Sequence, residues 1–217
     1  MSKFIYSIDP EFADYGVDVC LGTFVTPVAI RPSPEPLVAA VAEAADARRQ
    51  SMLGEAASSD PVVQATRRAF KGCGKDPSRY RPSAERLIRR AIGALEIPSI
   101  SNVVDVCNLV SLKTGFSAGV YDISWIVGDC MLRVGDAGES YETVGKSEVN
   151  IDGLPVFFDE KGPFGSPYMD SLRTAVDGDT DIMLFVLYGL NSPKDDIRTA
   201  TELAAHLIET WCLPEGA

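Results

Sequence analysis

The chain has 217 residues, 46% of them apolar, which is enough to build a substantial core in one domain. Its formal net charge of −11 argues against general affinity for nucleic acid. No apolar run reaches the ~18 residues of a membrane-spanning helix, and acids stand in the N-terminal MSKFIYSIDPEFADYG where an export signal would be apolar. A cytoplasmic protein with no membrane partner is therefore expected. The five cysteines are odd in number, widely spread and lack a C-x-x-C pair, so free thiols are expected. The single histidine, His206, excludes a multi-histidine metal site, and no metal or other cofactor is expected.

Residues 17–30, VDVCLGTFVTPVAI, are rich in Val, Ile and Thr and read as one or two strands. Pro32, Pro34 and Pro36 then break the chain, and residues 37–52 read as an alanine-rich helix. Asp60 and Pro61 open another helix, to about Lys71, with an acid at the cap and proline at the first position. Gly72-Cys73-Gly74 ends it. Ser83, after Pro82, is the expected cap of the next helix. Its apolar stripe is Leu87, Ile88, Ala91, Ile92 and Leu95, which leaves Arg86, Arg89 and Arg90 facing outward.

Residues 102–114 predict a helix capped by Ser101 or Asn102 and stopped by Gly115 in the left-handed conformation. Apolar side chains cover most of its circumference, so deep burial is expected. Asp105 and Asn108 share a face and need partners in a neighbouring loop or a pocket. Short strands follow at 129–134, 141–144, 155–159 and 181–190. The loops 145–153 and 160–174 are polar and long enough to hold a site. Ser192-Pro193-Lys194-Asp195 opens a last helix, to about Cys212, with a capping-box-like start. Helices dominate the first half and strands the second, which argues for α+β rather than alternating α/β.

Four stretches carry candidate chemistry. Gly115-Phe116-Ser117-Ala118-Gly119 matches the nucleophile elbow of serine hydrolases, and a serine esterase acting through Ser117 would need His206 as its base. The elbow requires a strand before the serine, however, and here a helix precedes it. Gly72-Cys73-Gly74-Lys75 lacks the remaining residues of a phosphate-binding loop and reads as a helix stop. The segment 67–90 carries nine basic residues against Asp76 and Glu85, a local +7 that could neutralise a few phosphates; Phe70 and Tyr80 interleave with it. In the stretch 165–174, Gly165, Ser166, Asp170, Ser171, Arg173 and Thr174 gather small, hydroxyl and charged groups. Ser171, Arg173 and Thr174 could hold an anion or carbonyl and Asp170 an amine; the alternative is an Asp170–Arg173 pair that fixes the loop.

Arg79-Tyr80-Arg81-Pro82-Ser83 with a helix behind it, the asparagine-valine-valine-aspartate helix running from Asn102 to Leu112, and then Tyr121-Asp122, together resemble a known module. It is the editing and tRNA-binding domain of the bacterial phenylalanyl-tRNA synthetase beta subunit, in its third and fourth B domains, and free-standing relatives of that domain are closer still. The similarity spans roughly 79–190, within a single domain over 1–217 whose residues 1–60 form an N-terminal strand and helix extension. It implies an α+β fold of packed, mostly antiparallel or mixed sheets with flanking helices. It implies the acceptor end of tRNA, or an amino acid, as partner. The pocket would involve Asn108, Gly119 and the 165–174 loop, and Arg79, Arg81, Arg86, Arg89 and Arg90 would face RNA. Gly-Phe-Ser-Ala-Gly then becomes a helix exit.

The chain departs from the family at two positions. Gly119 stands where the synthetase has a histidine, and Val186 is nearest to its glutamate. Two readings stand at this level: hydrolysis of mischarged aminoacyl-tRNA, with Asn108 and Thr174 holding water against the ester, and binding of tRNA or amino acid without hydrolysis. The aminoacylation motifs and ATP site of the synthetase lie elsewhere in the family, so no tRNA charging is expected.

Overall fold

The computed structural model describes residues 1–145 and 147–214. In chain order the elements are β1 (Ser7–Ile8), β2 (Val19–Pro27), α1 (Glu35–Ser51), α2 (Pro61–Gly72), α3 (Ser83–Ile92), α4 (Asn102–Thr114), β3 (Ser117–Asp122), β4 (Met131–Val134), β5 (Ser140–Glu142), β6 (Glu148–Asn150), β7 (Pro155–Asp159), β8 (Gly162–Gly165), β9 (Ile182–Leu190) and α5 (Lys194–Trp211).

The architecture follows from β9, whose sequence IMLFVLYGL is apolar on both faces. A strand of that kind must be covered on both sides. It lies at the centre of an antiparallel sheet in the order β2-β9-β3. Met183, Phe185 and Leu187 face one core, with Leu37 and Val41 of α1, Val103, Val106 and Val110 of α4, and Ile197, Ala204 and Ile208 of α5. Leu184, Val186, Tyr188 and Leu190 face a second core, with Leu132 of β4, Val156 and Phe157 of β7 and Phe164 of β8. That core is closed by a second sheet, β1-β4-β7-β8, in which β1 runs parallel to β4 and the other pairs are antiparallel. Helices, the β9 sheet and the second sheet thus form three layers, the α+β arrangement expected. Residues 1–60 supply β2 and α1, and place Phe4, Phe12 and Val17 in the second core.

Helix α4 is the buried element that its circumference of apolar residues requires. Ser101 Oγ accepts from Val104 N at 3.4 Å, and Gly115 ends the helix at φ 80°. The asparagine and aspartate of its first turn act as clamps. Asn102 donates to Ala29 O and Trp211 O and accepts from Arg31 N, tying the strand exit and the end of α5 to the helix. Asp105 accepts from Ser33 Oγ, Ser99 Oγ and Ile100 N.

Several local expectations are corrected. Ser83 is not the cap of α3: Pro82 occupies the cap position, and Ser83 N donates to Pro167 O. The capping box at Ser192 does not form: Pro193 is at the cap, and the Ser192 hydroxyl bonds Leu190 O. Leu95 lies beyond α3 and is exposed. The stretch after Gly115 is more than an exit, because Ser117–Asp122 pairs with β9 as β3. The polar loops contain short strands, β6 in 145–153 and β8 in 160–174; residue 146 of the former, like 215–217 of the chain, lies outside the described residues.

Asp105 is 2% exposed with three donors on its carboxylate, and hydrogen bonds to a charged group contribute about 1.5–3 kcal/mol each. Asp105→Ala should cost about 3 kcal/mol, read as roughly 6–12 °C in thermal melting. Asn108→Ala, on the same helix, should change melting by little.

Candidate functional site

A cavity of about 440 Å³ opens between the helical layer and β3. Helix α3 contributes Arg86, Leu87 and Arg90; α4 contributes Val104, Cys107, Asn108 and Ser111; β3 contributes Ala118 and Val120. The far wall is the 166–170 loop with Val144 and Val176. The walls are largely aliphatic, and the polar groups are few and discrete, which is the composition of a small-molecule site.

The 166–170 loop is built by Ser166. Its buried hydroxyl accepts from Tyr168 N and Met169 N and bonds Met169 O and the Tyr141 hydroxyl. This turn presents Asp170 to the cavity. Asp170 Oδ1 accepts from the Tyr121 hydroxyl at 2.6 Å, and Tyr121 in turn bonds the Tyr188 hydroxyl at 2.8 Å. Since the Tyr121 proton goes to the carboxylate, Tyr188 is the donor to Tyr121. Among the described residues, nothing donates to Oδ2, and no buried side-chain polar atom lacks a partner, so Oδ2 is the oxygen open to the cavity. Asp170 keeps some accessible surface where it meets the cavity, yet sits deep in the protein. Burial pushes its carboxyl up to about 7, against the opposing pull of the Tyr121 hydroxyl and the Arg86 charge.

Two glycines make room for this cluster. A Cβ at Gly119 would overlap the Tyr121 hydroxyl and crowd Asp170 Oδ1, and one at Gly165 would overlap the Tyr121 ring. Gly119 and Val186, the two positions expected to depart from the synthetase pattern, face each other in the β3–β9 register. Neither lines the cavity, whereas Asp170 does.

Of the expected site residues, Asn108, Ser166 and Asp170 line the cavity; among the described residues, the Asn108 amide has no protein partner. Ser171, Arg173 and Thr174 do not line it. Arg173 pairs with Asp159, at 2.8 Å, and not with Asp170; it also bonds Trp125 O and Gly162 O. Burial alone would raise the Asp159 carboxyl, but Arg173 and the N–H groups of Val127 and Lys161 hold it below the usual range. Ser171 Oγ accepts from Arg173 N in a short 3-10 turn, and the Thr174 hydroxyl is buried on Phe164 O. These residues fix the end of the loop from outside the site. Ser117 is 1% exposed and accepts from Ala84 N, while His206 is exposed on α5, so no elbow forms.

The basic segment divides into internal and free charges. Arg67 pairs with Glu85 at 2.7 Å, and Lys75 is buried on Asn150 O and Asp152 O with its ammonium over the Tyr80 ring. Arg86, expected to face outward, turns inward: it bonds Tyr168 O, lies over the Tyr168 ring at 4.9 Å, and lines the cavity. Burial lowers its guanidinium from the usual value while Tyr168 and Asp170 oppose the shift. Arg79 and Arg89 are exposed, and Arg81 stands 3.9 Å from Glu85. Arg90 lies at the mouth and bonds Glu96 O. Sequence reasoning missed Tyr188, Cys107 and Ser111. Cys107 and Ser111 are one turn apart on the face that Asn108 marks, a signal that helical spacing did contain.

Residues 65–212 match the family model of the B3/4 domain, and the chain belongs to that family. The family match extends past 79–190 at both ends. Among solved structures the chain is similar to an N-terminal fragment of the phenylalanyl-tRNA synthetase beta-subunit from Pyrococcus horikoshii, with 15% identity and a TM-score of 0.44. That similarity covers 49% of this chain and 39% of the other, so the chain spans well under half of its length. No curated protein matches the chain. No helix among the described residues is long and apolar enough to cross a membrane.

A carboxyl raised on folding stabilises the fold at pH values below its unfolded value, about 4, and loses that contribution as pH rises through about 7. Asp170→Asn should therefore be more stable than the parent at pH 8, by a margin that shrinks toward pH 5. Chemical denaturation at the two pH values reads this directly.

Proposed function

We propose that the cavity holds the aminoacyl end of a charged tRNA. The observation that carries this reading is that one largely aliphatic cavity is lined by charges of both signs, Asp170 and Arg86. An α-amino acid ester offers the complement: an ammonium for the carboxylate, a carbonyl for the guanidinium and the Asn108 amide, and a side chain for the aliphatic walls. Membership of the B3/4 family supports it. Arg79, Arg81, Arg89 and Arg90 lie on α3 or the turn leading into it, Arg90 lines the cavity, and the four would meet acceptor-end phosphates. In a deacylase, Asn108 and Arg86 would polarise the ester and hold water against it. Thr174, buried on Phe164 O, takes no part in this.

Binding without hydrolysis is the second reading. It is favoured by the cavity lining, in which no histidine or glutamate occurs among the described residues.

Incubation with correctly and incorrectly charged tRNAs, with amino-acid release as the readout, separates the two. Release from a mischarged pair that spares its cognate establishes a deacylase; retention with measurable binding establishes the binding module. Absence of both sinks the aminoacyl reading. Binding should weaken steeply with salt, and reversing Arg79 and Arg81 to Glu should reduce the log–log salt slope by about 1 for each phosphate that is no longer neutralised. An unchanged slope would remove these arginines from the interface.

A further inference from the structure

We propose that the cavity selects ligands by a free, charged α-amino group, and that Tyr121 and Tyr188 are the positioning residues for the carboxylate that receives it. The inference rests on the aminoacyl reading of the cavity and adds a substrate requirement to it. Three observations carry it. The hydroxyl chain runs in one direction, from Tyr188 to Tyr121 to Asp170 Oδ1, so each link delivers a proton toward the carboxylate. Only Oδ2 is left to the cavity, and it is an acceptor with no donor among the described residues. Gly119 and Gly165 clear the space in which the Tyr121 ring lies, so β3 and β8 are both shaped around this one hydroxyl. An isolated carboxylate oxygen facing an aliphatic chamber asks for a cationic donor, and a primary ammonium satisfies it with charge and hydrogen bond together.

The groups facing Asp170 leave it as the one that titrates near neutrality. Burial raises Tyr121 of β3 and Tyr188 of β9 well above the usual phenol range; it also raises Tyr141 of β5 and the Cys107 thiol of α4. All four are therefore neutral at pH 7. Arg86 of α3 is cationic there, since a guanidinium does not lose its proton in proteins, and the Tyr168 phenol of the same loop completes the set. Ammonium binding then requires the ionised form of Asp170, and affinity rises with pH along an acid limb with a midpoint near 7. It falls again as the ligand amine loses its own proton, at roughly pH 8. Loss of either tyrosine hydroxyl removes support from the carboxylate and moves the acid limb upward.

The test uses calorimetric titration of the whole protein with amides of apolar L-amino acids and with their N-acetyl counterparts, between about pH 5.5 and 9. At least one free amide should bind the parent protein about tenfold or more tightly than its N-acetyl form. In Tyr121→Phe, binding at about pH 6.5 should fall by about tenfold, with the loss shrinking toward pH 8, as expected of a one-unit upward move of the acid limb. Tyr188→Phe leaves the Tyr121–Asp170 bond in place and should show a smaller move in the same direction, so the test does not depend on one variant folding. A tyrosine that acts only in packing would lower affinity equally at every pH. Equal binding of free and acetylated amides, or an acid limb unmoved in both variants, overturns the proposal while leaving the aminoacyl reading standing. If no amide binds the parent protein and no charged tRNA binds either, the aminoacyl reading falls and this proposal falls with it.

Discussion

A carboxylate beneath an aliphatic cavity is costly to ionise, and in this fold the cost is offset mainly by one donor, the Tyr121 hydroxyl at 2.6 Å from Asp170. That donor depends on much of the structure. Tyr121 sits on β3, Tyr188 on β9, and Asp170 on the turn organised by Ser166, so a shift of any one of them opens the chain of hydroxyls. The glycines at 119 and 165 are the backbone side of the same constraint, because a side chain at either would displace the ring.

The three-layer arrangement makes this placement possible. β9 is buried on both faces; Tyr188 points into the second core, while the neighbouring Leu187 faces the helices. The hydroxyl pair is therefore held in the sheet layer, away from water and from rotameric freedom. On the helical side, α4 is clamped at its first turn by Asn102 and Asp105, which leaves its second and third turns, with Cys107, Asn108 and Ser111, to form a rigid wall. The motif that carries the family resemblance is thus the anchor of the site's wall, and the site's chemistry lies elsewhere. A preorganised first layer of groups, held by packed elements, is what a specific small-molecule site needs.

Local signals in the sequence were legible where the physics is local. Gly115 stops α4 in the left-handed conformation, Asp60 caps α2 through Val62 N and Val63 N, and the apolar run 181–190 is the central strand. Asn108 and Asp170 stand out from their chemistry in context, and both line the cavity. What failed was partner choice across long separations. Arg173 has an acid three residues away but pairs with Asp159, because the β7–β8 hairpin brings Asp159 and the Gly162 carbonyl to it together. Arg86 lies off the apolar stripe of α3 and so reads as solvent-facing, yet the 166–170 loop folds over that face and offers Tyr168 O and an aromatic ring. Helical periodicity records which face is apolar and says nothing about a polar loop that docks on the other.

The most direct test of the site is a crystal structure with a hydrolysis-resistant mimic of the aminoacyl end, in which an amino acid is joined by an amide to 3′-amino-3′-deoxyadenosine. The mimic's ammonium should lie within hydrogen-bond distance of Asp170 Oδ2, its carbonyl toward Arg86 and Asn108, with the Tyr188–Tyr121–Asp170 chain intact behind it. A mimic bound outside the cavity, or bound inside it with the amine turned away from Asp170, would contradict the aminoacyl assignment of this cavity.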